Sequence, residues 1–323
     1  MKKTFYIFVW ITCQVSTSAA QTGDTVNYQL FKEHIVIFSD LGFNSAPFNI
    51  RDHYALGVKK VNYRNNIKPV VGVGVAYKWF VLRVGFTIPL NILNETKFGD
   101  PTYFDFGFKA NIKQTFCNLS FRNYSGYAVE NAYKFNDSIT PNTQNALMPS
   151  TRSTSISANV WYLGDKSFKM AAFQGRSAHF TGEAKTWYLK GTLNYFGVSN
   201  DSRTIIPTEL TDSTDIQNAQ GIGAIDLGVI PGYAYANRVK NWQFGMFLGL
   251  GGVIQSKYYL KDDVMRSFLG LAPRLDLKFS GGYSRPDFFI LLVSDFDVKS
   301  LKIQALKYNQ TYYNIRIVSG FRF

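Results

Sequence analysis

The sequence predicts an all-β fold: a transmembrane antiparallel up-and-down β-barrel of about fourteen strands, with twelve as the alternative. Three observations predict it. First, the chain ends in Tyr313-Asn314-Ile315-Arg316-Ile317-Val318-Ser319-Gly320-Phe321-Arg322-Phe323, alternating apolar and polar up to a final phenylalanine. A period of two marks a strand with one apolar face and one polar face, and a terminal aromatic strand suits the closing strand of an outer-membrane barrel. Second, the chain opens like an exported protein. Third, no stretch after residue 20 approaches the length of a membrane-spanning helix; the longest pure apolar run is Phe288-Phe289-Ile290-Leu291-Leu292-Val293.

Residues 1–20 read as a signal peptide. Lys2 and Lys3 supply the positive start, Phe5 to Cys13 the apolar stretch, and Ser18-Ala19-Ala20 the small residues ahead of a cut before Gln21. Cys13 is a poor lipid-attachment site, because Trp10-Ile11-Thr12 lacks small residues. Residues 21–323 then form a single barrel domain with bacterial outer-membrane localisation. Cys117 is the only cysteine in this part, so no internal disulfide forms. Stability must come from a closed hydrogen-bond network.

Five segments show the alternation cleanly. Phe104, Phe106, Phe108, Ala110 and Ile112 share one face, with Asp105 and Lys109 on the other. Leu82, Val84 and Phe86 oppose Arg83; Trp187, Leu189 and Leu193 oppose Lys190 and Asn194. Trp242 to Leu250 and Leu269 to Phe279 repeat the pattern, the latter opposing Arg274, Asp276 and Lys278. Aromatic pairs near strand ends (Tyr77 and Trp79, Tyr124 and Tyr127, Trp161 and Tyr162, Tyr233 and Tyr235, Tyr258 and Tyr259) suggest interfacial girdles. Thirteen segments read as strands, near 34–44, 67–77, 79–88, 101–112, 115–125, 152–163, 168–176, 184–197, 221–236, 241–256, 267–282, 286–296 and 310–323. With both ends periplasmic the number should be even. A fourteenth strand is expected near Arg203-Thr204-Ile205-Ile206, and 54–63 is ambiguous. Short turns fall at 77–79, 113–115, 164–167, 237–241 and 284–286. Long polar loops fall at 89–100, 126–151, 198–220, 257–266 and 297–308.

Three runs resemble an uncharacterised group of Bacteroidota barrels, the domain of unknown function 4421. They are Asn66-Ile67-Lys68-Pro69-Val70-Val71-Gly72-Val73-Gly74-Val75-Ala76-Tyr77-Lys78-Trp79, Gly228-Val229-Ile230-Pro231-Gly232-Tyr233-Ala234-Tyr235 and Gly164-Asp165-Lys166-Ser167-Phe168. The likeness covers nearly the whole exported chain. Ser177-Ala178-His179 departs from the Ser-Ala-Gly-Ser-like run common in the group. The resemblance implies a fold and a place, and leaves the activity open.

The formal charge of +13 falls by the two leader lysines on export. Nucleic acid is excluded as a partner by location; anionic lipid and lipopolysaccharide head groups suit the excess better. Polar faces carry Arg83, Lys109, Lys190, Arg274, Lys278, Arg316 and Arg322 against Asp105, Asp226 and Asp276. Such a set is expected to face the lumen, either as a basic lining that favours anions or as a paired lattice that plugs it. His34, His53 and His179 are scattered, and Asp262-Asp263 falls short of an oxygen cage, so no metal, cofactor or catalytic residue is expected. His179, near Ser177, Thr181 and Glu183, is the one candidate base for an alternative reading, a lipid- or peptide-modifying barrel enzyme. Glycines such as Gly72, Gly74, Gly221 and Gly223 read as relief for a curved sheet, not as phosphate loops. The leading expectation is a non-enzymatic barrel, either a narrow small-solute channel or a structural and surface-binding protein. Tyr313, Ile315, Ile317, Phe321 and Phe323 form the expected signal to the barrel-assembly machinery.

Overall fold

A computed structural model describes residues 27–141, 143–201, 204–211, 216–262 and 264–323. The expected leader, Arg203 and Asp263 lie outside the described residues. Among the described residues sixteen strands run in chain order. They are β1 (Tyr28–Leu30), β2 (Val36–Ser45), β3 (Phe48–Arg51), β4 (Lys60–Arg64), β5 (Pro69–Tyr77), β6 (Phe80–Thr87), β7 (Thr102–Ile112) and β8 (Thr115–Val129). Then follow β9 (Ala146–Leu163), β10 (Ala178–Phe180), β11 (Ala184–Asn200), β12 (Gly221–Val239), β13 (Trp242–Lys261), β14 (Val264–Ser284), β15 (Phe288–Ile303) and β16 (Leu306–Arg322). Two short helices are α1 (Glu95–Phe98) and α2 (Met170–Gln174).

Fourteen strands belong to one antiparallel sheet, and β16 pairs with both β15 and β2 to shut it into a barrel. The ring proper holds twelve strands; the other two are the hairpin β3–β4. Strands β2, β5, β6 and β7 are 8 to 11 residues long, whereas β8, β9 and β11 to β16 run 15 to 21. At about 3.3 Å per residue the short strands cover an apolar belt about 25 Å tall, and the long ones stand well above it. Hairpin β3–β4 fills the gap this leaves. It pairs with β16 at Lys307–Gln310 and with β8 at Ala128–Val129. The molecule is therefore a twelve-stranded barrel carrying a taller collar at the end opposite Phe323.

Two-residue turns make five of the hairpins, with Lys78, Lys113, Lys240, Asp262 and Gln304 at their first positions, all at positive φ. Positive φ there is the geometry that matches strand twist. The outer face is apolar from Ile37, Leu41 and Phe43 round to Leu248, Leu250 and Ile317, all more than 40% exposed.

Several sequence expectations change. Residues 168–176 are not a strand: Gly164 ends β9, and the chain folds inward as α2. Residues 204–206 are bends, not a strand; the fourteenth and thirteenth strands are β3 and β4. Segments 257–266 and 297–308 are not long loops but the tops of β13–β14 and β15–β16. In 297–308 the outward row holds Ser300, Lys302, Gln304 and Lys307, so polarity imitates a loop, whereas in 257–266 the exposed row includes Val264 and Met265. Tyr124, Tyr127, Trp161 and Tyr259 are 1–3% exposed and point inward, whereas Trp79, Tyr162 and Tyr233 do lie outside. Four of the ten expected girdle residues thus point into the barrel.

Strands β14 and β15 pair only between Leu277/Phe296 and Ser284/Phe289. Above that point side chains stitch the seam. Arg274 Nη1, Gln255 Nε2 and Lys257 Nζ donate to the carbonyls of Val298, Ser300 and Lys302, at 3.4, 3.1 and 3.0 Å.

Candidate functional site: a filled lumen and an outer cleft

The lumen is filled in three layers. At the end that carries Phe323 the segment between β9 and β11 turns inside. Phe168 and Phe173 pack on Phe247, Phe180 packs on Phe168, and β10 pairs with β1. Gln243 holds both sides of this plug: its Nε2 donates to Ala172 O at 3.1 Å and its Oε1 accepts from Phe180 N at 3.3 Å. Arg322 clamps the plug to the last strand. Its guanidinium donates to the carbonyls of Gly175 and Arg176, both at 2.6 Å, and to those of Arg285 and Pro286. Those first two carbonyls close the C-terminal end of α2, where a cation is favoured. The rings of Phe31 and Phe289 lie 4.5 and 4.8 Å from it.

His179 belongs to this plug and is 4% exposed. Its ring meets Phe31 edge-on at 5.0 Å, and its Nδ1 has no partner. Burial, then the charges of Arg238 and Arg322, push its pKa down to about 4. No hydrogen bond joins it to Ser177, Thr181 or Glu183 among the described residues. Ser177 and Glu183 instead offer their carbonyls to Phe31 N and Asn27 Nδ2. The hydroxyl–base–carboxylate reach that nucleophilic catalysis needs is absent from this geometry. His34 meets Phe31 at 5.8 Å, and no group of three metal-ligating side chains comes together among the described residues.

The middle layer is a lattice of charges. Arg83 reaches across from β6, with Nε and Nη2 on the two oxygens of Asp40 at 2.6 and 2.7 Å and Nη1 on Asp105. Gly72 and Gly85 flank it, and a Cβ on either would collide with the guanidinium. Arg316 stands 3.8 Å from Asp40. Asp276 gathers Trp161 Nε1 and Tyr188 OH at 3.1 Å and Lys190 Nζ at 2.9 Å. Lys278 pairs with Asp295 at 2.6 Å, and Arg274 pairs with Asp226 through Nε at 2.8 Å. Lys299 reaches Ser155 at 2.7 Å and Asp297 at 3.5 Å. Two voids remain between the pairs, about 80 and 50 Å³ in volume.

Arg83, Lys109, Lys190, Arg274, Asp276, Lys278 and Arg316 thus all face this layer, while Arg322 serves the plug instead. Asp40, Arg122, Asp295, Asp297 and Lys299 belong to it too and were missed by sequence reasoning. The last three keep the parity of Phe289, Leu291 and Val293. Reading 297–308 as loop hides this for Asp297 and Lys299, whereas Asp295 lies within the expected strand 286–296 and the same parity could have found it.

The upper layer is apolar. Ile205, Ile206, Leu210, Ile216 and Ala219 fold over the collar mouth onto Phe48, Tyr63, Phe196 and Tyr308. Tyr63 OH donates to Ile205 O at 2.8 Å. Outside the collar, a cleft of about 750 Å³ opens between hairpin β3–β4, α1 and residues 130–145. It is lined by Lys59, Lys60, Lys97 and Lys134 with Phe98 and Tyr133. Its one carboxylate, Glu130, is paired with Arg64 at 3.2 Å.

Tyr313, Ile315, Ile317, Phe321 and Phe323 form one outward row. Phe323 closes the ring with two backbone bonds to Ile35, at 2.9 and 3.1 Å.

A family model described as a domain of unknown function (DUF4421) matches residues 22–323. No curated protein matches. Among solved structures, the outer membrane protease OmpT from Escherichia coli aligns with TM-score 0.41 and 8% identity, over 93% of this chain and 99% of that one. The translocator domain of autotransporter NalP from Neisseria meningitidis gives 0.43 and 10%, over 99% and 95%. The toluene transporter TodX from Pseudomonas putida gives 0.26 and 8%, over 89% of each.

Proposed function

We propose that this chain, which belongs to the DUF4421 family, is a closed, non-enzymatic outer-membrane barrel that acts at its outer surface and conducts no solute. One observation carries the reading: the lumen is filled from the periplasmic plug through the charge lattice to the apolar cap. Paired charges in a packed interior fill space and fix register; they do not line a water column. The leader, the apolar outer belt and the terminal phenylalanine support export to the outer membrane and insertion by the barrel-assembly machinery.

With the lumen filled, the lysine-rich cleft on the collar is the surface left for a partner. Its charge suits an anionic one, and the phosphorylated head group of lipopolysaccharide is the anion at hand. Vesicles loaded with a small sugar test the reading. The reconstituted barrel should leave their swelling rate at the protein-free value. Swelling that scales with the amount of folded barrel would defeat it.

A further inference from the structure

Lys109 and Arg122 stand apart from the rest of the lattice. They point inward from neighbouring strands, and in the register of β7 and β8 Arg122 sits opposite Asp105. Yet Asp105 is taken by Arg83, Asp276 by Lys190 and Asp295 by Lys278. No carboxylate lies within 4.0 Å of Lys109 or Arg122 among the described residues. Both side chains, with Lys278 and Arg316, line the 80 Å³ void. The Nε of Arg316, a residue 6% exposed, also has no partner there. Lys109 and Arg122 are half-buried inside the lumen, and a charge withdrawn even partly from water costs more than an uncharged polar group unless an opposite charge meets it.

We propose that this void holds a small inorganic anion, of halide to phosphate size, between Lys109 and Arg122. Lys109, Arg122, Arg316 and Ser120 all line the void, and Arg316 Nε is left without a partner, so cationic and hydroxyl donors share its wall. A water needs about 10–15 Å³ of such space, so the void of about 80 Å³ admits a small anion together with several waters. Water alone would satisfy the donors and leave the charge. The adjacent carboxylates do not forbid the anion: Asp105, whose Oδ1 has no partner, shares Arg83 with Asp40, and Asp295 holds Lys278, yet the wall still carries five cations against two carboxylates. The anion completes the lattice as the counter-ion the chain lacks.

The inference rests on the closed lumen, and its test is separate from the vesicle assay. The barrel is refolded from denaturant in chloride, in phosphate and in gluconate, which is too bulky for the void, all at one ionic strength. Its thermal midpoint is then measured. Chloride or phosphate should raise the midpoint saturably, on the order of 3 °C above gluconate. The double variant Lys109→Met, Arg122→Met should fold with a midpoint that is the same in all three salts. Crystals grown in bromide should show an anomalous peak in the wild-type void. Equal midpoints in all salts for wild type, or a void without bromide, would overturn the proposal; the bromide result stands even if the double variant does not fold. Vesicle swelling would instead strike at the closed reading alone.

Discussion

Arg322 illustrates how much a single side chain decides here. It has no carboxylate partner among the described residues and spends its donors on carbonyls, two from the plug and two from the β14–β15 turn. Truncating it strands those acceptors and unpins the plug. We expect Arg322→Ala to lower stability by about 3 kcal/mol, since hydrogen bonds from a charged donor are worth about 1.5–3 kcal/mol each and the carbonyls regain some water. Urea unfolding followed by heat-modifiable migration measures it; a loss below about 1 kcal/mol would remove the clamp. His179 adds a pH dependence. Its folded pKa, near 4, lies below the ordinary 6.5. Between those values the unfolded chain binds the extra proton, so stability rises with pH. The contribution is complete above about pH 6.5 and is lost as pH falls toward 4. The wild type should therefore weaken across that window more than His179→Gln does, and parallel curves would contradict the assignment. Sequence alone placed Arg83, Lys190, Arg274 and Lys278 on the inner face by parity. It did not reveal who pairs with whom, because Asp40 and Arg83 are 43 residues apart and meet only through the β2–β5–β6 register.

At the scale of elements, the strands of the belt were legible and the inserts were not. Alternation gives a strand its two faces, so β6, β7, β11, β13 and β14 follow from periodicity alone. The plug defeats that reading. Phe168 to Phe173 looks like a strand because it is apolar, yet it is apolar as a buried helix would be. Hairpin β3–β4 is too short to announce itself. Two predictions sit at this scale. Deleting Phe323 removes the pairing with Ile35 and the outward aromatic end of β16, and should impair insertion. Cell-surface exposure of the deletion at the wild-type level would argue against that role. The unpaired top of the β14–β15 seam should also show in hydrogen exchange. Amides of Val298 and Ser300 should exchange faster than those of Ile290 to Ser294, which lie in the paired part. Equal protection along β15 would mean the seam is zipped.

As a whole molecule, the barrel separates three jobs by height. In the proposed reading an apolar belt meets lipid, while a charge lattice fills the middle of the barrel and a collar with a basic cleft stands above it. Neither filled end relies on a disulfide, and the only described cysteine, Cys117, is free. Apolar packing closes the two mouths, while ion pairs hold the section between them. The anion proposed for the middle section is what that division leaves uncompensated. Planar-bilayer recording of the wild type beside a variant lacking residues 165–183 asks whether the lumen is truly shut. The account predicts a silent wild type and current steps once the plug is gone. Steady, reproducible current from the intact, folded chain would contradict it.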